Sequence, residues 1–432
     1  MSFSTNIIWT FGVRLAMVVN SVVAGIVVAR WLGAEGVGKL AVINVAVTTL
    51  VQLGSLGLPS ANTYFIAKDI NRFRRAALNS LLFAIIGGGV LAFALVAITT
   101  SRPSWFGLVA PDLFRIAAIS IPFQLLTLIG LNVFLALGKV REFNLLDLVG
   151  QSFVLINALI ALLILHAGLQ TLVTLNTATA ACVGAIIVLL LIITAQKLPN
   201  AEKAWTPDSV LLAQMVKYGI KSHLSILAGA LIFRADLLVV NHFRGASEAG
   251  VYSLASQMAT MLMMLPSVIA TLLFPRVTAE QDRTGNTTCV VTRHTAVVMF
   301  VCCLSAAPLS FILPLFYGVA FADATYQLLI LLPGVYLIGL QSVLVQHFNA
   351  MGLPKMIPTF WLITLVVNLI MVFGLVPKFG ARGAAVASTL SYTLISFLMI
   401  TYFLIDTRRS LSELFVLRNV EFRTLLSLGF KS

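Results

Sequence analysis

The sequence predicts an all-α polytopic membrane protein: twelve transmembrane helices in two six-helix bundles around a central cavity. Three observations carry that expectation. Apolar residues make up 59% of the 432 residues and charged ones only 10%, where soluble domains hold about 25% charged residues; mean hydropathy is +1.02. The apolar residues gather into runs of about 20, the length that crosses a hydrocarbon core of about 30 Å. Short motifs recur at a nearly constant separation, so the bundles are expected to be related by a pseudo-two-fold axis along the membrane normal.

In chain order the runs occupy residues 6–29, 40–66, 76–99, 113–137, 144–166, 171–195, 217–241, 250–274, 294–317, 325–348, 357–377 and 383–405. The first is too long for the core of a secretory signal and is interrupted by Arg14, so it is read as a true span. The expected organisation is a first bundle over 1–195, a linker over 196–216, a second bundle over 217–405 and a basic tail over 406–432.

Lysine and arginine set the orientation. Nineteen of them fall on the side of the two termini and seven on the other, while Arg14 and Arg234 lie within spans. By the positive-inside rule both termini are expected in the cytoplasm. Much of the net charge of +13 is then topological and gives no reason to invoke nucleic acid. All five tryptophans (Trp9, Trp31, Trp105, Trp205, Trp361) fall near span ends or in loops, as interfacial anchoring requires. Cys182, Cys289, Cys302 and Cys303 have neither metal nor disulfide spacing and read as packing residues. The sequence has no Walker loop and no HExxH, and its histidines have no ligand spacing, so no cofactor and no metal are expected.

The repeat is specific. GAEGVGKL (Gly33–Leu40) follows the first run and GASEAGVY (Gly245–Tyr252) the seventh, pairing Gly33 with Gly245 and Gly38 with Gly250 at an offset of 212. Ala136-Leu137-Gly138-Lys139 and Ala350-Met351-Gly352-Leu353 match at 214, and Asn157 and Asn368 at 211. Six spans separate the copies, so the two halves share one orientation and leave a cleft between them.

The seventh run carries the charges. An ionisable side chain at membrane depth costs about 2.5–3.5 kcal/mol on insertion scales, so it is expected to face a partner or a wet cavity. Projected at about 100° per residue, His223, Arg234 and Asn241 form one stripe, and Lys221, Ser225, Gly229 and Asp236 another roughly 160° away. One stripe should face the cavity and the other a neighbouring helix, unless the helix breaks near Gly229. Arg14 holds the matching place in the first half, where it either lines the cavity or snorkels to the interface. Asn44, Thr48 and Ser55 share a face of the second span with Gln52 on its flank; Ser253, Gln257 and Thr260 do so in the eighth. Such polar stripes line cavities or bind helices together. Asp147 and Asp236 are the acids within spans, read as ion-paired or as coupling sites. Gly87-Gly88-Gly89 and the intramembrane prolines Pro59, Pro122, Pro266, Pro308, Pro314 and Pro333 are expected to permit bending.

The run ARWLGAEGVGKLAV (Ala29–Val42) resembles the signature after the first helix of polysaccharide-transport (Wzx-type) flippases, in the multidrug/oligosaccharidyl-lipid/polysaccharide exporter superfamily. KYGIKSHLSIL, FRADLLVV and GASEAGVYSLA, within Lys217–Ala255, resemble the second-half signature; LLFPRVT and ALGKVREF are also similar. The resemblance implies export of an undecaprenyl-pyrophosphate-linked oligosaccharide across a bacterial inner membrane, feeding O-antigen (lipopolysaccharide), capsule or exopolysaccharide assembly. Arg14, Arg234, Lys221 and His223 would then receive the pyrophosphate and the amide and hydroxyl stripes the sugar, while the polyprenyl tail stays among membrane lipid. Energy would come from a proton or sodium gradient, as in an antiporter, and polymerase or chain-length machinery would be the protein partner. The rivals are a multidrug carrier of the same superfamily, whose cationic substrates want acids where the first span has an arginine, and a lipid II flippase, for which fourteen spans are expected. A glycan polymerase or ligase is a third, and would need a larger extracytoplasmic loop than the dozen or so residues found.

Overall fold

The computed structural model describes residues 3–107, 109–198, 205–280, 282–352 and 354–415. The described chain is helical throughout, without strands. The first helices are α1 (Phe3–Gly54), α2 (Leu58–Lys68), α3 (Phe73–Ser101), α4 (Pro111–Ala118), α5 (Ser120–Ala136), α6 (Val140–Ala158) and α7 (Leu169–Gln196). Then follow α8 (Ser209–Ile232), α9 (Ala235–Arg244), α10 (Ala246–Leu262), α11 (Met264–Glu280) and α12 (Asn286–Leu309). The last are α13 (Leu313–Tyr317), α14 (Asp323–Ala350), α15 (Met356–Thr407) and α16 (Leu411–Phe415).

Among the described residues ten continuous stretches are long and apolar enough to cross a membrane. Two of them, Trp9–Gly54 with 46 residues and Met356–Thr407 with 52, are about twice the length of one crossing at about 1.5 Å per residue. Each folds at a glycine, Gly33 (φ 64°, ψ −175°) and Gly380 (φ 60°, ψ −142°), in backbone regions that a side chain excludes. Each therefore supplies two crossings, which restores the expected twelve.

The repeated motifs perform repeated jobs. Gly245 adopts φ 89° and ψ 173°, like its counterpart Gly33. Gly138 and Gly352 both have positive φ at helix ends; the Gly138 and Lys139 amides bond back to Leu135 and Phe134, a Schellman closure. Asn157 donates to Asn176 and Thr179 of the following helix, both at 2.9 Å. Asn368 donates to Ser391 at 3.0 Å, and Ser391 is the counterpart of Thr179. In lipid, apolar surface does not by itself distinguish a helix neighbour from an acyl chain, so such amide bonds and small-residue contacts decide helix pairing.

Bends occur where a proline opens a new helix rather than at the glycine triplet. α3 runs unbroken through Gly87–Gly89, and a Cβ on Gly88 would stand 2.4 Å from the Pro122 Cα, so Gly88 lets α3 and α5 approach. Helices restart at Leu58, Ser120 and Met264, just before Pro59, Pro122 and Pro266, where a missing N–H costs nothing. Pro333 lies within an uninterrupted α14.

Contacts divide the chain into two compact units: Met1–Leu254 with Pro314–Phe321 and Val376–Ala381, and Ala255–Leu313 with Ala322–Leu375 and Arg382–Ser432. In the first, α5 is packed by α2, α3 and α7, while α1 runs along α6; Ile121, Leu125, Ile129 and Phe134 of α5 are buried. Within this unit Arg30 donates to the Leu315 and Phe316 carbonyls, and Glu248 accepts the Ala381 amide at 2.6 Å beside the Gly380 fold. In the second, α14 packs on α11 and α12 and buries Leu331, Val335, Ile338 and Leu344.

Two arginines expected in loops are buried instead. Arg74 at the start of α3 donates to the Ala195 carbonyl at 2.6 Å, and Arg293 in α12 donates twice to the Glu413 carbonyl, at 2.9 and 2.7 Å. Each ties an early helix of its unit to a C-terminal carbonyl, where a cation offsets the helix dipole. Within the expected linker, α8 is already helical from Ser209, capped by the Asp208 carboxylate on the Leu211 amide at 2.9 Å. Residues 199–204 of that linker and 416–432 of the expected tail lie outside the described residues.

Candidate functional site

The seventh apolar run is interrupted four residues beyond Gly229. α8 ends at Ile232, Phe233 and Arg234 form a turn, and α9 starts at Ala235. Arg234 takes the N-cap position of α9 with φ −135°. Two residues only two positions apart here meet opposite surroundings. The Arg234 side chain is exposed and its NH1 donates to the Thr48 hydroxyl at 2.6 Å. Asp236 is 1% exposed, accepting the Leu237 amide at 2.8 Å and the Tyr252 hydroxyl. A carboxylate in the first turn of α9 is also favoured by the helix dipole.

Thr48 links that break to the second crossing of α1. Its hydroxyl donates to the Asn44 carbonyl at 2.7 Å while accepting from Arg234. A guanidinium carries five N–H donors, and the Arg234 side chain makes no other hydrogen bond among the described residues. One direct contact thus joins Arg234 to the polar face of the second span. Asn44 is exposed and Gln52 half-buried. Ser55 is buried and bonds back to the Gln52 carbonyl at 3.0 Å, closing the end of α1. His223 is 5% exposed, lies against the Gln52 and Leu53 backbone and leaves Nε2 without a hydrogen-bond partner among the described residues. The Lys221 side chain lies outside the described residues.

Arg14 belongs to a different seam. It pairs with Asp147 at 2.9 Å, and both side chains are partly exposed. Two further bonds run along the same α1–α6 contact, Asn20 to Ser152 at 2.9 Å and Asn144 to Thr10 at 2.8 Å. The two candidates Arg14 and Asp147 are therefore brought together, apart from the Arg234 contact. In the eighth span Ser253 bonds to the Gly250 carbonyl and Thr260 to the Ser256 carbonyl, both at 2.8 Å, while Gln257 is half-buried.

Sequence reasoning missed a polar cleft in the first unit. Asn44 shares it with Ser120, Gln124, Asn176 and Thr177 from α5 and α7. The signal was present as amides inside apolar runs, but their convergence requires the helices to be packed. Tyr252 was missed too, because a tyrosine beside a loop is unremarkable until Asp236 is seen beneath it. Among the described residues no group of three His, Cys, Asp or Glu side chains could hold a metal ion.

An interrupted, charged membrane helix within a repeated twelve-crossing chain defines a polytopic carrier-type fold. The solved structure of "Lipid II flippase MurJ, inward closed conformation" aligns with a TM-score of 0.74 over 98% of this chain and 95% of that one, at 17% identity. An inward-facing multidrug resistance MATE family transporter of the MOP superfamily aligns with a TM-score of 0.74 over 92% of this chain and 98% of that one, at 14% identity. At such identities the likeness shows the fold alone. The chain belongs to the polysaccharide biosynthesis protein family, whose description matches residues 3–281. "Probable flippase AglR" of Haloferax volcanii is 28% identical over 201 residues, 44% of this chain. The match spans only 41% of that relative's length.

Proposed function

We propose that the protein is a flippase for a polyprenyl-pyrophosphate-linked oligosaccharide. The observation that carries this reading is Arg234: a guanidinium in an interrupted membrane helix, exposed, held by one hydroxyl and with its remaining donors unfilled among the described residues. Its planar fork suits a phosphate bidentately, and pairing offsets the cost of bringing the pyrophosphate into the membrane. Membership of a polysaccharide biosynthesis family and a relative named a probable flippase support a flippase acting in glycan assembly.

In finer detail, the carrier lipid is undecaprenyl pyrophosphate, the membrane is a bacterial inner membrane and both termini lie in the cytoplasm. The halves over 1–195 and 217–405 alternate access to the site, driven by a proton or sodium gradient. Arg234 takes the pyrophosphate first. Arg14, already neutralised by Asp147, joins it when that acid takes up the coupling proton.

The test is glycan export in cells. Arg234→Ala should abolish surface glycan at unchanged protein level, with Arg234→Lys restoring a minor part. Normal export by the alanine variant would overturn the assignment.

A further inference from the structure

Thr48 lies on the second crossing of α1 and Arg234 at the break before α9, and the hydroxyl of one meets the guanidinium of the other at 2.6 Å. The hydroxyl has a single proton, and its own helix claims it. Thr48 donates to the Asn44 carbonyl at 2.7 Å, with a longer approach of 3.4 Å to that of Val45. A hydroxyl so held presents lone pairs to Arg234 and acts there as an acceptor. That fastens one corner of the guanidinium, Nη1. The edge formed by Nε and Nη2 carries no hydrogen bond among the described residues. Other arginines of the chain put this edge to use. Arg293 places Nε and Nη2 on the Glu413 carbonyl at 2.9 and 2.7 Å, and Arg30 places them on the Phe316 and Leu315 carbonyls. On Arg234 the same edge is left for two oxygens of an anion.

Donor number does not limit such a site, since five N–H groups serve one hydroxyl and a bidentate phosphate with some to spare. Orientation does. A long side chain free in solvent loses its rotamers when it binds, and that cost comes out of the affinity. The backbone supplies part of the ordering: Arg234 is the N-cap of α9, at φ −135° and ψ −25°. Thr48 supplies the rest by holding the far end of the side chain. No carboxylate among the described residues pairs with the guanidinium. Asp236, two positions on, is turned to the Leu237 amide and the Tyr252 hydroxyl.

We propose that Thr48 is the positioning residue of the anion site, holding Nη1 of Arg234 so that the Nε–Nη2 edge meets the pyrophosphate. This rests on the reading of Arg234 as the pyrophosphate ligand. A hydrogen bond that only glues two membrane helices would stabilise the fold and leave anion affinity alone. The test measures binding of bare polyprenyl pyrophosphate, together with the thermal midpoint, on the full-length protein in lipid nanodiscs. Thr48→Val, close in shape but without the hydroxyl, should weaken binding about fivefold, the cost of ordering one long side chain at the moment of binding. Thr48→Ser keeps the hydroxyl and should bind within about twofold of wild type. In an Arg234→Lys background Thr48→Val should change affinity by less than about twofold, because an ammonium has no planar edge to orient. Should Thr48→Val fail to fold, Thr48→Ala takes its place in the same comparisons. Unchanged affinity in the valine variant, with or without a fall in its thermal midpoint, overturns the positioning role. So does a serine variant as weak as valine, or a fivefold effect that persists beside lysine. Undiminished binding by Arg234→Ala overturns the pyrophosphate reading itself, whereas the Thr48 outcomes bear on the positioning role alone.

Discussion

Gly38 and Gly250 cross each other with no space for a side chain on either. A Cβ on Gly38 would stand 1.7 Å from the Ala246 carbonyl oxygen, and one on Gly250 would stand 2.0 Å from that of Ala34. The two residues are counterparts in the internal repeat, so the motif GAEGVG packs on its own second copy, GASEAG. Gly57 and Gly219 make a second backbone contact of this kind: a Cβ on Gly57 would lie 2.2 Å from the Gly219 oxygen. In sequence Thr48 lies between Gly38 and Gly57, and its partner Arg234 between Gly219 and Gly250.

Alanine at Gly38 or Gly250 should therefore push two backbones apart, costing about 1–3 kcal/mol as overpacking. Gly89→Ala is the control, since nothing lies within 4 Å of a Cβ there, and alanine is the better helix former. Thermal denaturation in detergent should show a drop for the first two variants and none for the third. Equal stability of all three would discredit the crossing.

The Arg14–Asp147 pair should behave as one interaction. Each side chain is partly exposed, so removing either should cost about 0.5–2 kcal/mol, between a surface pair and a buried one. The Arg14→Ala, Asp147→Ala double variant should cost less than the two singles summed. Strict additivity in the thermal midpoints would mean that the contact contributes nothing.

Tyr252→Phe should destabilise by about 1–3 kcal/mol, because it withdraws a donor from a buried carboxylate. Asp236→Asn should be milder, since its amide oxygen can still accept from Leu237 while its NH2 donates to the Tyr252 hydroxyl oxygen. Chemical denaturation comparing the two would refute this if the phenylalanine variant matched wild type.

Acid should weaken the cap of α8. The Leu211 amide, helped by Arg75, holds the Asp208 carboxyl below the usual carboxylate range. A depressed folded-state value means the stabilisation is complete above about pH 4, the unfolded value, and is lost as pH falls through the lower folded one. Asp208→Asn keeps the capping oxygen and removes the titration, so its stability should fall less between about pH 5 and about pH 3. Parallel pH profiles would contradict the assignment.

Much of the fold was legible because its signals are local. Hydropathy gave the number of crossings, although the second run, expected over 40–66, breaks after Gly54, and Gly33 and Gly245 of the repeat share one backbone geometry. Some local signals misled. Gly87–Gly89 suggested a bend but serves a close contact, since a triplet says nothing about what lies opposite. Arg74 and Arg293 counted as loop charges but are buried on carbonyls at the far ends of their units. The candidate site was legible as residue types: Arg234 and Thr48 were both singled out, and the possibility of a broken helix was tied to Gly229, four residues before the turn.

The order of apolar runs, their number, the repeat and the presence of charge inside the membrane were determined by the sequence alone. Tertiary structure decided which partner each buried polar group received: Arg14 with Asp147, 133 positions away, Arg234 with Thr48, 186 away, and Asp236 with Tyr252. Hydropathy accumulates residue by residue along a chain, whereas a hydrogen bond between distant residues exists only at one packing of the helices that carry them.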